Sequence, residues 1–306
     1  MGGVRKRTGE VDFRRDEELG LEVRFARYRG HLFPPHTHPD WSVGCIDRGE
    51  VDFVLAGEVH AARAGDVAVI PPGVVHACNP ADGEWTYRMC YVDAAWMAQL
   101  ALQALPGPAG AVAPAEAVAS GGAVAPAAVL PPVIRDPELF DALGRLHALM
   151  ADAADLLERQ TAMTEAFGLL LARHAVPDGG ACGVGGPCGG APDADGEAGP
   201  HPGVAAARAL LEERACEKVA LEELARAAGL SPTHLLRVFR AAVGLTPHAY
   251  QTQLRIRRAR DLLAQGAPIA DVAAATGFTD QSVFSRTFRR FTGATPGQYR
   301  TACARR

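Results

Sequence analysis

Two groups of side chains near the carboxyl end have types and spacing suited to reading DNA. Thr233, His234, Arg237 and Arg240 recur on one helical face, and Gln281, Ser282, Ser285, Arg286, Arg289 and Arg290 do so again further on. Arginine offers guanine two parallel hydrogen bonds and glutamine does the same for adenine, while a short hydroxyl reaches base edges or phosphates. An arginine-rich helix face is equally the exterior of any solvated helix, so the elements that carry these residues must decide.

Those elements are one pattern written twice. LEELARAAGLSPTHLLRVFRAAVGLTPHAY starts at Leu221 and IADVAAATGFTDQSVFSRTFRRFTGATPGQY at Ile269. Gly229 matches Gly277 at an offset of 48, whereas Phe239 matches Phe288, Gly244 matches Gly293, Pro247 matches Pro296 and Tyr250 matches Tyr299 at 49. One residue is therefore added in the second turn. Each copy predicts a helix-turn-helix: a short apolar helix, a glycine that ends it, and a second amphipathic helix. In the first copy Leu221, Leu224, Ala225 and Ala228 form the inner stripe, Ser231 sits at the N-cap with Pro232 behind it, and Leu235, Val238 and Phe239 face inward. In the second copy Ile269, Val272, Ala273 and Thr276 precede Gly277, Thr279 or Asp280 caps, and Val283, Phe284 and Phe288 pack. Charge agrees: from Gly203 onward there are 16 Lys and Arg against 8 Asp and Glu, on a chain whose net charge is -4. A basic module on an acidic body is the electrostatic footprint of nucleic-acid binding.

The last hundred residues resemble the DNA-binding domain of the AraC/XylS family of bacterial transcription regulators, through the G-x-T-P-x-x-Y that closes each copy and the A-x-x-x-G-F of the second. The resemblance implies an all-α domain over 203–303 in which a long helix, His248 to Gln265, joins two helix-turn-helix units, with Leu254, Ile256, Ala259, Leu262 and Leu263 inward. Such a helix is about 27 Å long, short of the roughly 34 Å between successive major grooves on one DNA face. Bent DNA, or one unit engaged alone, is expected. Base reading is assigned to Thr233, Leu236, Arg237, Gln281, Ser282, Ser285 and Arg286, and phosphate contact to Arg240, Arg289 and Arg290. Leu236 departs from the polar residues the family often places there and suits a thymine methyl group.

Upstream, 306 residues with 48% hydrophobic content allow two domains. Neither a signal peptide nor an 18-residue membrane span is legible, and the seven cysteines are odd in number and scattered, so a cytoplasmic protein without a membrane partner is expected. Cys182 and Cys188 flank a glycine-rich tract, a weak signal for a redox or metal pair. Residues 1–20 read as a mobile arm. Over 21–105, short alternating strands broken by Asp47-Arg48-Gly49-Glu50, Gly57, Gly65 and Pro71-Pro72-Gly73 argue a β-sandwich or small barrel, closed by a helix from Ala94 to Leu105.

Within it, His36-Thr37-His38, Gly65-Asp66, and Pro71-Pro72-Gly73 with His76 and Asn79 beyond resemble the two motifs of a cupin barrel, which AraC-like regulators often carry as their effector module. The fold class expected is thus α+β multidomain: an N-terminal cupin-like β-barrel, a helical segment and a C-terminal double helix-turn-helix. In metal-using cupins two histidines, a glutamate and a later histidine share one metal. Here Ser42 or Val43 stands at the glutamate position, leaving His36, His38 and His76. Three readings stay open: a small-molecule pocket at His36, His38, Trp41 and His76, a three-histidine metal site, or a structural role alone. No cofactor is assigned. Cys45, Phe53, Trp85, Tyr87 and Tyr91 are candidates for the apolar wall.

Residues 106–132 are almost wholly Ala, Pro, Gly and Val and read as a flexible insertion. Asp136-Pro137 starts a helix carrying Leu139, Leu143, Leu146 and Met150, and a second carries Leu156, Met163, Phe167, Leu170, Leu171 and His174. This segment, 133–176, packs on the barrel or on a second chain, the family's usual homodimer contact. Residues 177–202 are a Gly/Pro/Ala/Asp tether. The partners implied are double-stranded promoter DNA, a small-molecule effector and a second copy, with RNA polymerase open to such a regulator. The activity implied is regulation and not catalysis. A metal-dependent dioxygenase or isomerase fused to a DNA-binding tail, and a constitutive architectural DNA binder, are the alternatives.

Overall fold

Glu10–Asp16 (β1) pairs antiparallel with Leu21–Arg29 (β2), from Glu10 opposite Arg27 to Asp16 opposite Leu21. These residues, expected to be part of a mobile arm, are instead an edge strand. Buried Phe13 anchors it, and Asp16 accepts hydrogen bonds from the amides of Glu18 and Leu19 in the turn that follows, while also pairing with Arg159. The computed structural model of the chain describes residues 10–80, 84–104, 128–152, 154–177 and 201–304. It divides into two compact units, the first chiefly the residues before 184 and the second chiefly those after it. The insertion expected at 106–132 and the tether at 177–202 lie largely outside the described residues, as do Cys182 and Cys188.

In the first unit, Trp41–Arg48 (β3), Glu50–Leu55 (β4), Glu58–Arg63 (β5), Val67–Ile70 (β6), His76–Pro80 (β7) and Glu84–Val92 (β8) follow, then helix Ala94–Ala104 (α1) and the short strands Ala128–Val129 (β9), Val133–Ile134 (β10) and Val176–Pro177 (β11). They make a six-stranded antiparallel sheet in the order β1-β2-β8-β3-β6-β10, a three-stranded sheet β5-β4-β7, and the pair β11-β9. Among the described residues no ladder closes. The expected cylinder is replaced by open sheets, because β4 takes β5 and β7 as its neighbours and not β3.

Alternation gives the large sheet two faces. Leu21, Val23, Trp41, Val43, Cys45, Val67, Val69, Cys90 and Val92 turn to one side and pack under Pro137–Ala151 (α2) and Leu156–His174 (α3). Leu139, Leu143, Leu146, Met150, Met163, Phe167, Leu170 and Leu171 complete that core, each contributing about 1.5–3 kcal/mol by burial. The apolar stripes anticipated for a dimer contact are therefore consumed within the chain. Asp136 caps α2 by accepting from the amides of Glu138 (3.0 Å) and Leu139 (3.2 Å), and it also meets His174 at the far end of α3 (2.9 Å). The His174 hydrogen bond, the Leu139 amide and Arg173 draw its carboxyl down to about 2.

The second unit is helical: Pro202–Glu213 (α4), Leu221–Ala228 (α5), Pro232–Val243 (α6), Pro247–Ala264 (α7), Ile269–Ala275 (α8), Gln281–Thr292 (α9) and Pro296–Cys303 (α10). Gly229, Gly244, Gly277 and Gly293 all have positive φ, ending helices or opening turns. No helix among the described residues is long and apolar enough to cross a membrane.

Candidate DNA-reading faces and a histidine cluster

The two hairpins, α5–α6 and α8–α9, repeat down to single contacts. Phe239 of α6 meets Tyr250 of α7 edge-on with centroids 5.8 Å apart, and Phe288 of α9 meets Tyr299 of α10 at 5.7 Å. Arg208 of α4 lies over Tyr250 at 5.7 Å and Arg260 of α7 over Tyr299 at 5.6 Å. Helix α4, not anticipated as an element, thus plays for the first hairpin the part α7 plays for the second, so α7 both closes one copy and opens the next. Two caps start the outer helices: Ser231 Oγ accepts from the amide of His234, and Asp280 Oδ1 from that of Val283 at 2.8 Å. Of the two residues considered for the second cap, Asp280 takes the role.

Leu235, Val238 and Phe239 are buried on α6, as are Phe284 and Phe288 on α9. The opposite faces carry the residues singled out for DNA. Thr233, Leu236, Arg237 and Arg240 are exposed on α6; Gln281, Ser282, Arg286 and Arg290 are exposed on α9, with Ser285 and Arg289 half-buried. The offset of 49 sets Thr233 against Ser282, Leu236 against Ser285, Arg237 against Arg286 and Arg240 against Arg289. All four pairs stand on the solvent side of equivalent helices.

One arginine of α7 ties the turn of the second copy to the loop that leads into the first. Arg255 donates from Nε to the carbonyl of Ala215 (2.8 Å), from Nη2 to that of Glu217 (2.6 Å) and from Nη1 to that of Gly277 (3.1 Å). Gln251 adds a bond to the Glu217 carbonyl at 3.0 Å. A Cβ at Gly277 would lie 2.0 Å from the Cys216 carbonyl oxygen, so the turn of the second hairpin rests directly on the loop between α4 and α5 that leads into the first. Sequence spacing gave no sign of this clamp.

In the first unit, His38 lies on the loop before β3 and His76 opens β7, while His36 belongs to the short stretch Phe33–His36 that groups with the second unit. His36 Nδ1 stands 2.8 Å from the Pro34 carbonyl and His76 Nδ1 3.0 Å from that of Val74. A carbonyl can only accept, so in both rings Nδ1 carries a proton. The amide of Gly73 donates to the His38 carbonyl at 2.8 Å, tying together the two loops that carry the cluster. Burial holds His76 down to about 4, hence neutral at pH 7. His38 stacks beside His76 and edge-on to Tyr91 of β8, both at 5.1 Å, which places the cluster on the side of the large sheet away from α2 and α3.

Trp41, expected with these histidines, is not with them. It packs in the core beneath α2 and α3, together with Cys45. Ser42, one residue on, faces the cluster's side and pairs across the strand with Tyr91. That inner surface also holds Trp85 and Tyr87, stacked at 4.4 Å, and Arg24, which donates to the hydroxyls of Tyr28 and Tyr91. Arg24 was not anticipated, since a lone arginine in a strand gives no sign of being buried. Ser42 Oγ and Trp85 Nε1 are buried without a hydrogen-bond partner among the described residues. An orphaned buried group costs about 1–3 kcal/mol, so a polar ligand here would be favoured.

The sequence matches two family profiles, one described as an AraC-like ligand binding domain over residues 18–167 and one as a helix-turn-helix domain over 224–302. The arabinose operon regulatory protein of Salmonella typhimurium is 28% identical over 97% of this chain and 90% of its own length. YbfI, an uncharacterized HTH-type transcriptional regulator of Bacillus subtilis, is 26% identical over 86% of each. An apo variant of ToxT from Vibrio cholerae has the same fold, with a TM-score of 0.55 at 11% identity, covering 94% of this chain and 99% of its own. Two hairpins with matched outward faces behind a sheet domain of this type, and relatives that span nearly the whole length, place the chain in the AraC family of DNA-binding transcription regulators, with a ligand-binding domain ahead of its helix-turn-helix domain.

Proposed function

We propose that this protein is a transcription regulator whose promoter binding is controlled by a small molecule held on the inner face of its first unit. The observation that carries the reading is the matched pair of outward faces on α6 and α9 in a unit rich in arginine. Thr233, Leu236, Arg237, Gln281, Ser282, Ser285 and Arg286 read bases, and Arg240, Arg289 and Arg290 hold phosphates. Residues 21–105 form the effector module, 133–176 support it, 177–202 tether it and 203–303 read DNA. The protein works in the cytoplasm as a homodimer, doubling its DNA contacts, and with RNA polymerase as a further partner. It binds and does not catalyse.

The clamp at Arg255 bears on how DNA is held. Because α7 has 18 residues, about 27 Å, and Arg255 ties it to the α4–α5 loop and to the turn of the second hairpin, the unit cannot stretch to the roughly 34 Å between successive grooves. DNA that engages both hairpins is therefore bent, and circular permutation gels would show it; straight DNA with both grooves protected would contradict this.

His38 and His76, with Ser42 and Trp85, are the effector contacts within the first unit; Trp41 is set aside because it faces the core. The test is a thermal-shift screen of the full chain against sugars, amino acids and aromatic acids, with unsaturated fatty acids included because ToxT has been solved with one bound. A ligand at a hundred times its Kd should add about 2.7 kcal/mol to the first unit's stability and change the affinity for a promoter fragment. A ligand that raises stability equally in wild type and in a Ser42→Ala, His38→Ala double variant would place the site elsewhere.

A further inference from the structure

We propose that the inner face of the first unit binds a small organic monocarboxylate, with the guanidinium of Arg24 and the hydroxyls of Tyr91 and Ser42 holding its carboxylate group. The inference rests on the reading of the first unit as an effector module and names the chemical class of the effector.

A buried cation is the starting observation. Arg24 is 5% exposed in the middle of β2, where it pairs with Met89 of β8 and Phe13 of β1. Alternation turns it, with Glu22 and Tyr28, away from Leu21 and Val23, which belong to the core under α2 and α3. Its guanidinium carbon stands 5.2 Å from the ring centroid of Phe13, 5.5 Å from that of Tyr28 and 5.6 Å from that of Tyr87. It donates to the hydroxyls of Tyr28 and Tyr91. Burial works against its charge, yet Tyr28, Tyr87 and Tyr91 outweigh burial and hold the group above its usual value. Burial also raises the Tyr28 and Tyr87 phenols, so both are hydroxyls and not phenolates at pH 7. The Cys78 thiol of β7, pushed up to about 12 by burial, feels the Arg24 charge from the small sheet, so Arg24 lies where the two sheets face each other.

The groups that converge there are donors. A guanidinium and an indole N–H can only donate, and a phenol that accepts from Arg24 has its own proton to give. Ser42 stands opposite Tyr91 in the β3–β8 ladder, on the side that Arg24 faces, and its buried Oγ has no hydrogen-bond partner among the described residues. Neither has Trp85 Nε1, further along the same face of β8. A ligand complementary to this set is rich in acceptors, and the planar fork of an arginine matches a carboxylate through two parallel hydrogen bonds. Glu22, buried on this side and also opposite Tyr91, limits the negative charge: a second one on the ligand would be repelled, which favours a monocarboxylate over a dicarboxylate or a phosphate. Trp85 and Tyr87, stacked at 4.4 Å, and buried Ile46 opposite Tyr87 give the body of the molecule an apolar bed.

The test uses the full chain with benzoate, phenylacetate, octanoate and pyruvate, each beside its neutral amide, and with succinate and inorganic phosphate. At least one of the monocarboxylates should raise the melting temperature and, by equilibrium dialysis, bind about tenfold or more tightly than its amide. Succinate and phosphate should bind more weakly than that acid. Arg24→Gln, which removes the charge, should abolish the preference, the acid falling to the affinity of the amide; a loss of packing alone would weaken acid and amide alike. Ser42→Ala, which removes one oxygen, carries the test if Arg24→Gln does not fold: it should weaken the acid by about tenfold and narrow its advantage over the amide. A preference for the acid that survives these substitutions would place the anion elsewhere and overturn the proposal. Tighter binding of phosphate or succinate, or no binding of any of the four acids, would overturn it too. If in that case a neutral sugar or an amide raises the melting temperature of the wild type and fails with Ser42→Ala, the effector reading stands and the anionic class alone is rejected; if no compound does so, both fall.

Discussion

Phe239 and Tyr250 cross at 70°, Phe288 and Tyr299 at 69°, yet the helices these pairs support show the solvent different residues, Leu236 on one and Ser285 on the other. The buried contacts of the two hairpins are near copies because an interior at crystal-like density tolerates little change. Their outer faces carry no such constraint and have diverged. Two hairpins that pack alike but display different side chains would, on the proposed reading, meet two different stretches of DNA, and a single chain would then recognise an asymmetric site.

The comparison is sharpest where equivalent substitutions should cost the same, and where they should not. Phe239→Ala and Phe288→Ala each remove a fully buried ring and should each destabilise the second unit by about 3–5 kcal/mol. Hydrogen exchange at the amides of α6 and α9 measures this in the full chain, and a large inequality would break the equivalence of the copies. Glycine at the turns should behave otherwise. Gly229 has φ +68 with open space around its would-be Cβ, whereas Gly277 has φ +73 and the Cys216 carbonyl oxygen 2.0 Å away. Gly277→Ala should cost roughly 3 kcal/mol and Gly229→Ala only about 1–2 kcal/mol; chemical denaturation with equal midpoints for the two variants would show that the hairpins are not seated on each other as described.

The smallest difference lies at the caps. Asp280 is held below its usual value, first by the hydrogen bond from the Val283 amide, whereas its counterpart Ser231 does not titrate. A depressed carboxylate stabilises the fold above its unfolded value near 3.8, and that contribution is lost as pH falls below it. Amide exchange in the first turn of α9 should therefore accelerate on acidification below that point, and Asp280→Asn should flatten the dependence. The first turn of α6 should show no matching change.

The hairpins were legible in the sequence because glycine, proline and the aromatic pairs recur at fixed offsets, and each recurrence checks the other. Helix α4 was not, since an alanine-rich stretch behind a glycine-rich tract gives no boundary of its own. In the first unit, strands could be read but their partners could not. Neither the open sheets nor the strand formed by Glu10–Asp16 follows from alternation alone, for the latter rests on one buried ring and a register with β2. The same limit misplaced Trp41. Period-two alternation says that Trp41 and Ser42 face opposite sides, but which side holds the histidines depends on where β7 and β8 lie. Arg24 and Arg255 were missed for a related reason: their roles come from carbonyls and rings supplied by distant parts of the chain.

Binding-site selection with the wild type, Arg237→Ala and Arg286→Ala tests most directly whether α6 and α9 each lie against bases. Each substitution should relax preference at a different position, at a cost of about 1–3 kcal/mol, with the two positions roughly one helical turn apart. Relaxation at the same position, or equal weakening on every sequence, would contradict the account.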